Sequence, residues 1–252
     1  MTKPRGFCGL LKQLFEVTKG VRFMYIQKTV KAGMCIFVYR HYSARYGKKR
    51  LRSRNVHETA PKQKIINRRI SADKRLWTFL ENFKKGDLWV EFNYRLSERP
   101  VDMESALKNI QNLLRPLARK LKAKGIRLTY MHCIEIGALG GVHHHIAFKN
   151  NFDASLLVSL WKKGKVIIDT MYSDNLIKLA EYFVKGRSDR SEKRYTQSRN
   201  LKVPVPRVKI LKSERWKKDP QPPVGYVIHD LFNGYHDDIG YEYQRCIYRH
   251  NE

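Results

Sequence analysis

Apolar residues recur along this chain with a period of two in some stretches and of about three and a half in others, and the alternation of the two lays out its elements. Val21–Val30 and Met34–Tyr42, rich in β-branched and aromatic residues, flank Lys31-Ala32-Gly33 and predict a hairpin. From Gln63 to Phe83, the spacing of Ile66, Ile70, Leu76, Trp77, Leu80 and Phe83 suits an amphipathic helix. Leu88–Tyr94 is a short apolar strand. Asp102–Lys124 carries Ile110, Leu113, Leu114, Leu117 and Leu121 at helical spacing, with Asp102 as its cap. Ile126–Ile136 and Val142–Phe148 read as two strands joined by the glycine-rich Gly137–Gly141. A helix over Asp153–Lys162, a strand over Lys165–Thr170 and a helix over Ser173–Lys185, capped by Ser173, follow. The remainder turns polar and is punctuated by Pro204, Pro206, Pro220, Pro222 and Pro223. It ends in a β pair over Val224–Tyr248 with Asn233-Gly234 as its turn. This order predicts an α+β fold, with helices packed on a central, mainly antiparallel sheet.

Charge narrows the partner. The 252 residues hold 51 Lys+Arg and 23 Asp+Glu, a formal net charge of +28, while 42% of residues are hydrophobic, enough for a true core. Residues 1–86 hold 22 Lys+Arg and 4 Asp+Glu, against 29 and 19 in residues 87–252, so the first third supplies most of the excess. Arg45–Arg54 is too charged to pack and reads as a loop or arm. Such an excess points to a polyanion, nucleic acid first. No apolar run is long enough for a membrane span, and the patch Phe7–Phe15, cut by Lys12 and Gln13, does not form a signal peptide. Cys8, Cys35, Cys133 and Cys246 are scattered without a C-x-x-C pair, which predicts reduced thiols in a cytoplasmic protein.

The sharpest chemistry lies in His143-His144-His145. On a strand, His143 and His145 project to one face and His144 to the other, so two imidazoles can converge on one metal ion. If Gly137–Gly141 reverses the chain, Glu135 falls beside them and completes a His, His, carboxylate set. Tyr182 and Lys185 share a face of the following helix. A phenol is a poor nucleophile unless a cation stabilises its phenolate, and Lys185 and a divalent ion would both do so. Together these groups point to attack on a phosphodiester of single-stranded DNA, leaving a 5′-phosphotyrosyl bond and a free 3′-hydroxyl.

The strand Leu88–Tyr94, the His-x-His strand and Tyr182-Phe183-Val184-Lys185, in that order, resemble the three motifs of HUH endonucleases. More specifically, the chain resembles the single-tyrosine rolling-circle replication initiators of bacterial plasmids and phage-like elements. The likeness extends through Gly86–Val90, Leu179–Lys185 and Arg194–Pro204, over roughly residues 58 to 248. The resemblance implies an initiator-type nuclease fold of RRM- or ferredoxin-like layout over residues 61–190. A basic N-terminal hairpin and arm (1–60) would precede it, and a C-terminal extension (191–252) would pack on the core. It also implies Glu135, His143 and His145 as ligands of Mg²⁺ or Mn²⁺, Tyr182 as nucleophile and Lys185 as its assistant. The implied partners are an origin or hairpin of single-stranded DNA and a host helicase, in the bacterial cytoplasm. The chain departs from the family in its first motif, Val90-Glu91-Phe92-Asn93-Tyr94. It also carries Lys178 where two-tyrosine initiators have their other tyrosine, which leaves Tyr195 as a candidate for any second nucleophile.

Around Tyr182, Lys178, Arg194 and Arg199, with Arg187, Arg190 and Lys193, supply cations for phosphates. Trp77, Trp89 and Trp161 fall in apolar periodic segments and are expected in the core. No G-x-x-x-x-G-K-[ST] loop occurs, so unwinding must come from elsewhere. The reading is a sequence-specific nicking and joining enzyme. Its rivals are a non-catalytic nucleic-acid-binding protein that keeps the fold and, from the ligand types alone, a two-His-one-carboxylate iron oxygenase. The charge of residues 1–86 is assigned to gripping DNA around the nick, separable by deleting residues 1–57.

Overall fold

A computed structural model describes residues 24–43, 46–47, 61–137, 140–184, 195–213, 215–236 and 240–251. In chain order its elements are β1 (Met24–Ala32), β2 (Cys35–Ser43), α1 (Pro61–Asn82), β3 (Leu88–Asn93) and α2 (Met103–Ala123). Then come β4 (Tyr130–Ile136), β5 (Val142–Phe148), α3 (Ser155–Leu160), β6 (Val166–Thr170) and α4 (Ile177–Val184). The last are β7 (Tyr195–Gln197), β8 (Arg207–Ile210), β9 (Tyr226–His236) and β10 (Tyr241–His250). They fall into two compact units, one built from the strands before residue 59 and after residue 204, the other from residues 59–204 with the turn Ala32–Met34.

The larger unit is a five-stranded antiparallel sheet, ordered β6-β3-β5-β4-β7, with helices on both faces. The strict alternation of β3 decides which residue faces which layer. Leu88, Val90 and Phe92 are buried on one side, while Trp89, Glu91 and Asn93 take the other. The first face packs on α2 and α3 through Ile110, Leu113, Leu117, Leu121, Leu157 and Trp161. Each of these aliphatic side chains contributes about 1.5–3 kcal/mol by leaving water. Asp102 caps α2 as expected, its carboxylate accepting the Ser105 N–H at 2.7 Å while Ser105 Oγ reaches back to the Asp102 N–H at 3.2 Å. On the second face, Phe79 of α1 and Phe183 of α4 meet at 5.5 Å between ring centroids, and both pack on Trp89. The expected α+β class, a central antiparallel sheet flanked by helices, is the one observed.

Three boundaries differ from the sequence reading. The strand expected from Ile126 begins at Tyr130, because Gly125, at φ +72°, and Ile126 close α2 by donating to Lys122 O and Leu121 O. The helix expected from Ser173 begins at Ile177. There Ser173 Oγ accepts the Asn175 N–H and Asn175 Oδ1 the Ile177 N–H, two side-chain turns that hold the chain off the helix. Asn233-Gly234 is not a turn but lies inside β9. Gly234 pairs with Tyr243, whose ring fills the space a Cβ would take, 2.4 Å from Cζ.

The smaller unit is a second antiparallel sheet, ordered β8-β1-β2-β10-β9. The hairpin β1–β2, read from sequence as part of an N-terminal arm, thus lies at the centre of a sheet whose other strands come from the end of the chain. A row of polar side chains crosses its strands. Arg40 donates to Gln27 Oε1 at 2.9 Å and to Gln244 Oε1, and Gln244 Nε2 donates to Asn233 Oδ1 at 2.8 Å. Cys35, Cys133 and Cys246 are buried free thiols. The stretch Arg45–Arg54, apart from Tyr46 and Gly47, lies outside the described residues, as does Cys8.

Candidate active site

Register brings the expected residues to one face. Along β5, His143 pairs with Glu135 of β4 and Asn93 of β3, and His145 with Cys133 and Glu91. Paired residues of an antiparallel ladder project to the same side. Glu91, Asn93, Glu135, His143 and His145 therefore share the face on which α1 and α4 pack. His144, between the two histidines, points into the opposite layer.

Three side chains make the tightest contact. His145 Nε2 lies 2.9 Å from Glu135 Oε2, and Tyr182 donates its hydroxyl to the same Oε2 at 2.8 Å. On α4, Ile177, Ala180 and Phe183 are buried, which turns Tyr182 outward along the sheet; it is 47% exposed. Its ring meets that of His145 edge-on at 6.0 Å, and Trp89 stacks on the same imidazole at 5.5 Å with 22° between planes. His145 is thus buried, held between an indole face and the tyrosine. His143 sits one strand position outward, its Nδ1 3.0 Å from Asn93 Oδ1. Asn93 Nδ2 in turn donates to Glu91 Oε1 at 2.7 Å, and Glu91 Oε2 lies 4.0 Å from His145 Nδ1.

The resemblance implies a divalent ion held by Glu135, His143 and His145. Among the described residues, no three His, Cys, Asp or Glu side chains are gathered closely enough to enclose one. Glu135 turns Oε2 to His145 and Tyr182, and His143 turns Nδ1 to Asn93. The donor types nonetheless fit such an ion. Two ligands at about 2.1 Å from an octahedral ion lie about 3 Å apart, the separation of His145 Nε2 and Glu135 Oε2.

Behind the sheet, a buried hydrogen-bonded chain crosses four strands. Asn109 Nδ2 donates to Tyr94 Oη at 3.3 Å; Tyr94 Oη lies 2.7 Å from His144 Nε2, and His144 Nδ1 2.9 Å from His132 Nε2. His132 Nδ1 ends the run 2.9 Å from Thr196 Oγ1 of β7. Burial first, then the neighbouring His145 and His143, push His144 down to about 3, so it is neutral. With both rings neutral, every donor points the same way, from Asn109 through Tyr94, His144 and His132 to Thr196. Burial likewise pushes the Tyr94 phenol up to about 12, against a smaller lowering by Asn109.

Of the other expected residues, Lys178 is exposed one turn before Tyr182, and Arg199 is exposed in the turn after β7. Lys185 and Arg194, with Arg187, Arg190 and Lys193, lie outside the described residues. Tyr195 is half-buried, under the Arg75 guanidinium at 4.1 Å and against Phe183. Trp77 and Trp161 are core residues, whereas Trp89 faces the site. The sequence reading gave no role to Glu91, Asn93 or Trp89. The signal that finds them is the period of two in Leu88–Tyr94 joined to β5 as the neighbouring strand.

Every residue of this face falls within one matched interval. Residues 88–187 match a family of replication-associated proteins, described by its ORF2 and phage gene-2-protein members. That interval, about two fifths of the chain, runs from the first residue of β3 past the end of α4. It therefore contains Trp89, Glu91, Asn93, Glu135, His143, His145 and Tyr182, and is consistent with a replication initiator. No curated protein and no solved structure matches. No described helix is long and apolar enough to cross a membrane.

Proposed function

We propose that this protein nicks and rejoins single-stranded DNA by tyrosine transesterification, initiating rolling-circle replication or transfer of a mobile element. The observation that carries the proposal is the Tyr182–Glu135–His145 contact, a surface phenol hydrogen-bonded to a carboxylate that is itself held by an imidazole. The match to a replication-associated family and the net charge of +28 supply its context.

Tyr182 Oη attacks the scissile phosphorus, the P–O3′ bond breaks, and the strand stays joined to the protein by a 5′-phosphotyrosyl ester. The phenol proton has an acceptor in place, Glu135 Oε2 at 2.8 Å. The departing 3′ oxygen takes up one proton, so proton and charge balance over the step. Attack by a 3′-hydroxyl on the same phosphorus reverses it and rejoins the strand. His145, fixed by Trp89 and Glu135, keeps the carboxylate aligned. Mg²⁺ or Mn²⁺, held by Glu135, His143 and His145, would supply Lewis-acid polarisation of the phosphate. Lys178 and Arg199, exposed near either end of the α4–β7 segment, are the cations assigned to the DNA backbone, with Lys185 and Arg194 beside them in sequence.

The test uses single-stranded DNA carrying the cognate origin, with either ion, and a denaturing gel. A covalent protein–DNA band is expected from the wild type. It should be absent from Tyr182→Phe, which keeps the ring beside His145, and absent after chelation. A normal band from Tyr182→Phe would refute the assignment of the nucleophile.

A further inference from the structure

We infer that Glu91, acting through Asn93, fixes His143 with its proton on Nδ1, and that Gly137 keeps the opposite nitrogen, Nε2, open for a ligand. The first motif of the chain, whose Glu91 and Asn93 have no part in the proposed cleavage step, thereby gains one.

Glu91 is the group in the run whose hydrogen-bonding role is fixed, since an ionised carboxylate only accepts. The Asn93 end that lies 2.7 Å from Glu91 Oε1 must therefore be the NH₂ group. That settles the orientation of the amide, otherwise ambiguous between its O and N. The carbonyl Oδ1 is then the end that faces His143 Nδ1 at 3.0 Å. A carbonyl cannot donate, so Nδ1 must carry the proton, and in the neutral ring Nε2 holds the lone pair. Outer hydrogen bonds set the tautomer of metal-binding histidines in this way. Glu91 also stands 4.0 Å from Nδ1 of His145, so one carboxylate of β3 lies behind both imidazoles.

Space is reserved on the other side of the His143 ring. A Cβ added to Gly137 would lie 2.8 Å from His143 Nε2 and 3.3 Å from Cε1. The φ of Gly137 is not positive, so backbone conformation does not demand glycine there. The nitrogen that the Glu91–Asn93 pair leaves unprotonated is the one next to which a side chain is missing. Two independent features, a tautomer and a vacant Cβ position, select the same atom.

Glu91 and Asn93 are positioning residues, and the decisive readout is spectroscopic. Long-range ¹H–¹⁵N spectra of the ¹⁵N-labelled full chain should show His143 protonated at Nδ1. Asn93→Leu should move the proton to Nε2, and Asn93→Asp, which keeps an acceptor, should restore Nδ1–H. Glu91→Gln, isosteric and able both to donate and to accept, releases the amide orientation and should give a mixture; it decides the case if Asn93→Leu does not fold. Mn²⁺ alone, titrated by its electron-spin resonance, should bind about 10–100-fold more weakly to Asn93→Leu. Gly137→Ala should weaken Mn²⁺ binding without moving the proton. An Nε2–H form in the wild type, or Nδ1–H persisting in both Asn93→Leu and Glu91→Gln, would overturn the inference. The consequence for metal binding rests on the function proposed above, whereas the tautomer does not. A protein with the expected tautomer that formed no tyrosyl–DNA adduct would refute the function alone.

Discussion

Replacing His144 by leucine probes the buried chain behind the sheet. The imidazole is fully buried and takes part in two hydrogen bonds, to Tyr94 Oη at 2.7 Å and His132 Nε2 at 2.9 Å. His144→Leu removes both and leaves two buried polar groups short of a partner, at about 1–3 kcal/mol each. Leucine regains about 1–2 kcal/mol through its larger apolar surface. The net loss expected is therefore about 1–4 kcal/mol, read as a lower urea midpoint by circular dichroism. Tyr94→Phe alone should cost about 1–3 kcal/mol, since it strips His144 Nε2 of its partner. The double variant should cost less than the two single losses together, by about 0.5–3 kcal/mol, because the second change removes a group that the first had already left unsatisfied. A His144→Leu protein as stable as the wild type, or losses that add within about 0.5 kcal/mol, would show that the chain does not act as a unit.

Other consequences are as direct. Gly164→Ala would put a Cβ 2.2 Å from Asn93 O and 2.7 Å from Arg95 N, backbone atoms that cannot step aside, and should cost about 1–3 kcal/mol in urea unfolding; no change would mean the loop relaxes freely. The Tyr94 phenol is raised to about 12 in the folded chain, so its contribution is fully present below the ordinary phenol value near 10 and is lost as pH rises towards 12. Tyr94→Phe should then lose less stability than the wild type across that window, with ionisation followed by tyrosinate absorbance. Deleting residues 24–43 takes out β1 and β2, the latter bonded to β10 from Gln244 to Arg249. Amides there should lose protection from hydrogen exchange, and unchanged protection would contradict the sheet order.

How much of this was legible in the sequence depended on the range of the interactions involved. The alternation in Leu88–Asn93, the amphipathic spacing of α2 and its Asp102 cap are local, and the structure keeps them. The pairing of Glu135 with His143 followed from one short connection, Gly137–Gly141, and it too holds. Long-range pairing was not legible. Nothing near Met24–Ser43 signals that its partners are strands some two hundred residues later, so an element central to a sheet read as an arm. The deletion of residues 1–57 is for that reason no clean test of DNA grip. Asn233-Gly234 misled because a glycine suited to a turn is equally suited to a ring lying across it, and only the position of Tyr243 separates the two. Glu91 and Asn93 were visible as residues but not as a pair, since their role appears only when β3 lies beside β5.

The most direct test of the central claim is to incubate the full chain with origin single-stranded DNA and Mn²⁺ or Mg²⁺, digest protein and DNA, and locate the modified peptide by mass spectrometry. The account predicts a nucleotide attached through phosphate to Tyr182. A nucleotide on any other residue, or cut DNA with a free 5′-phosphate and an unmodified Tyr182, would contradict it.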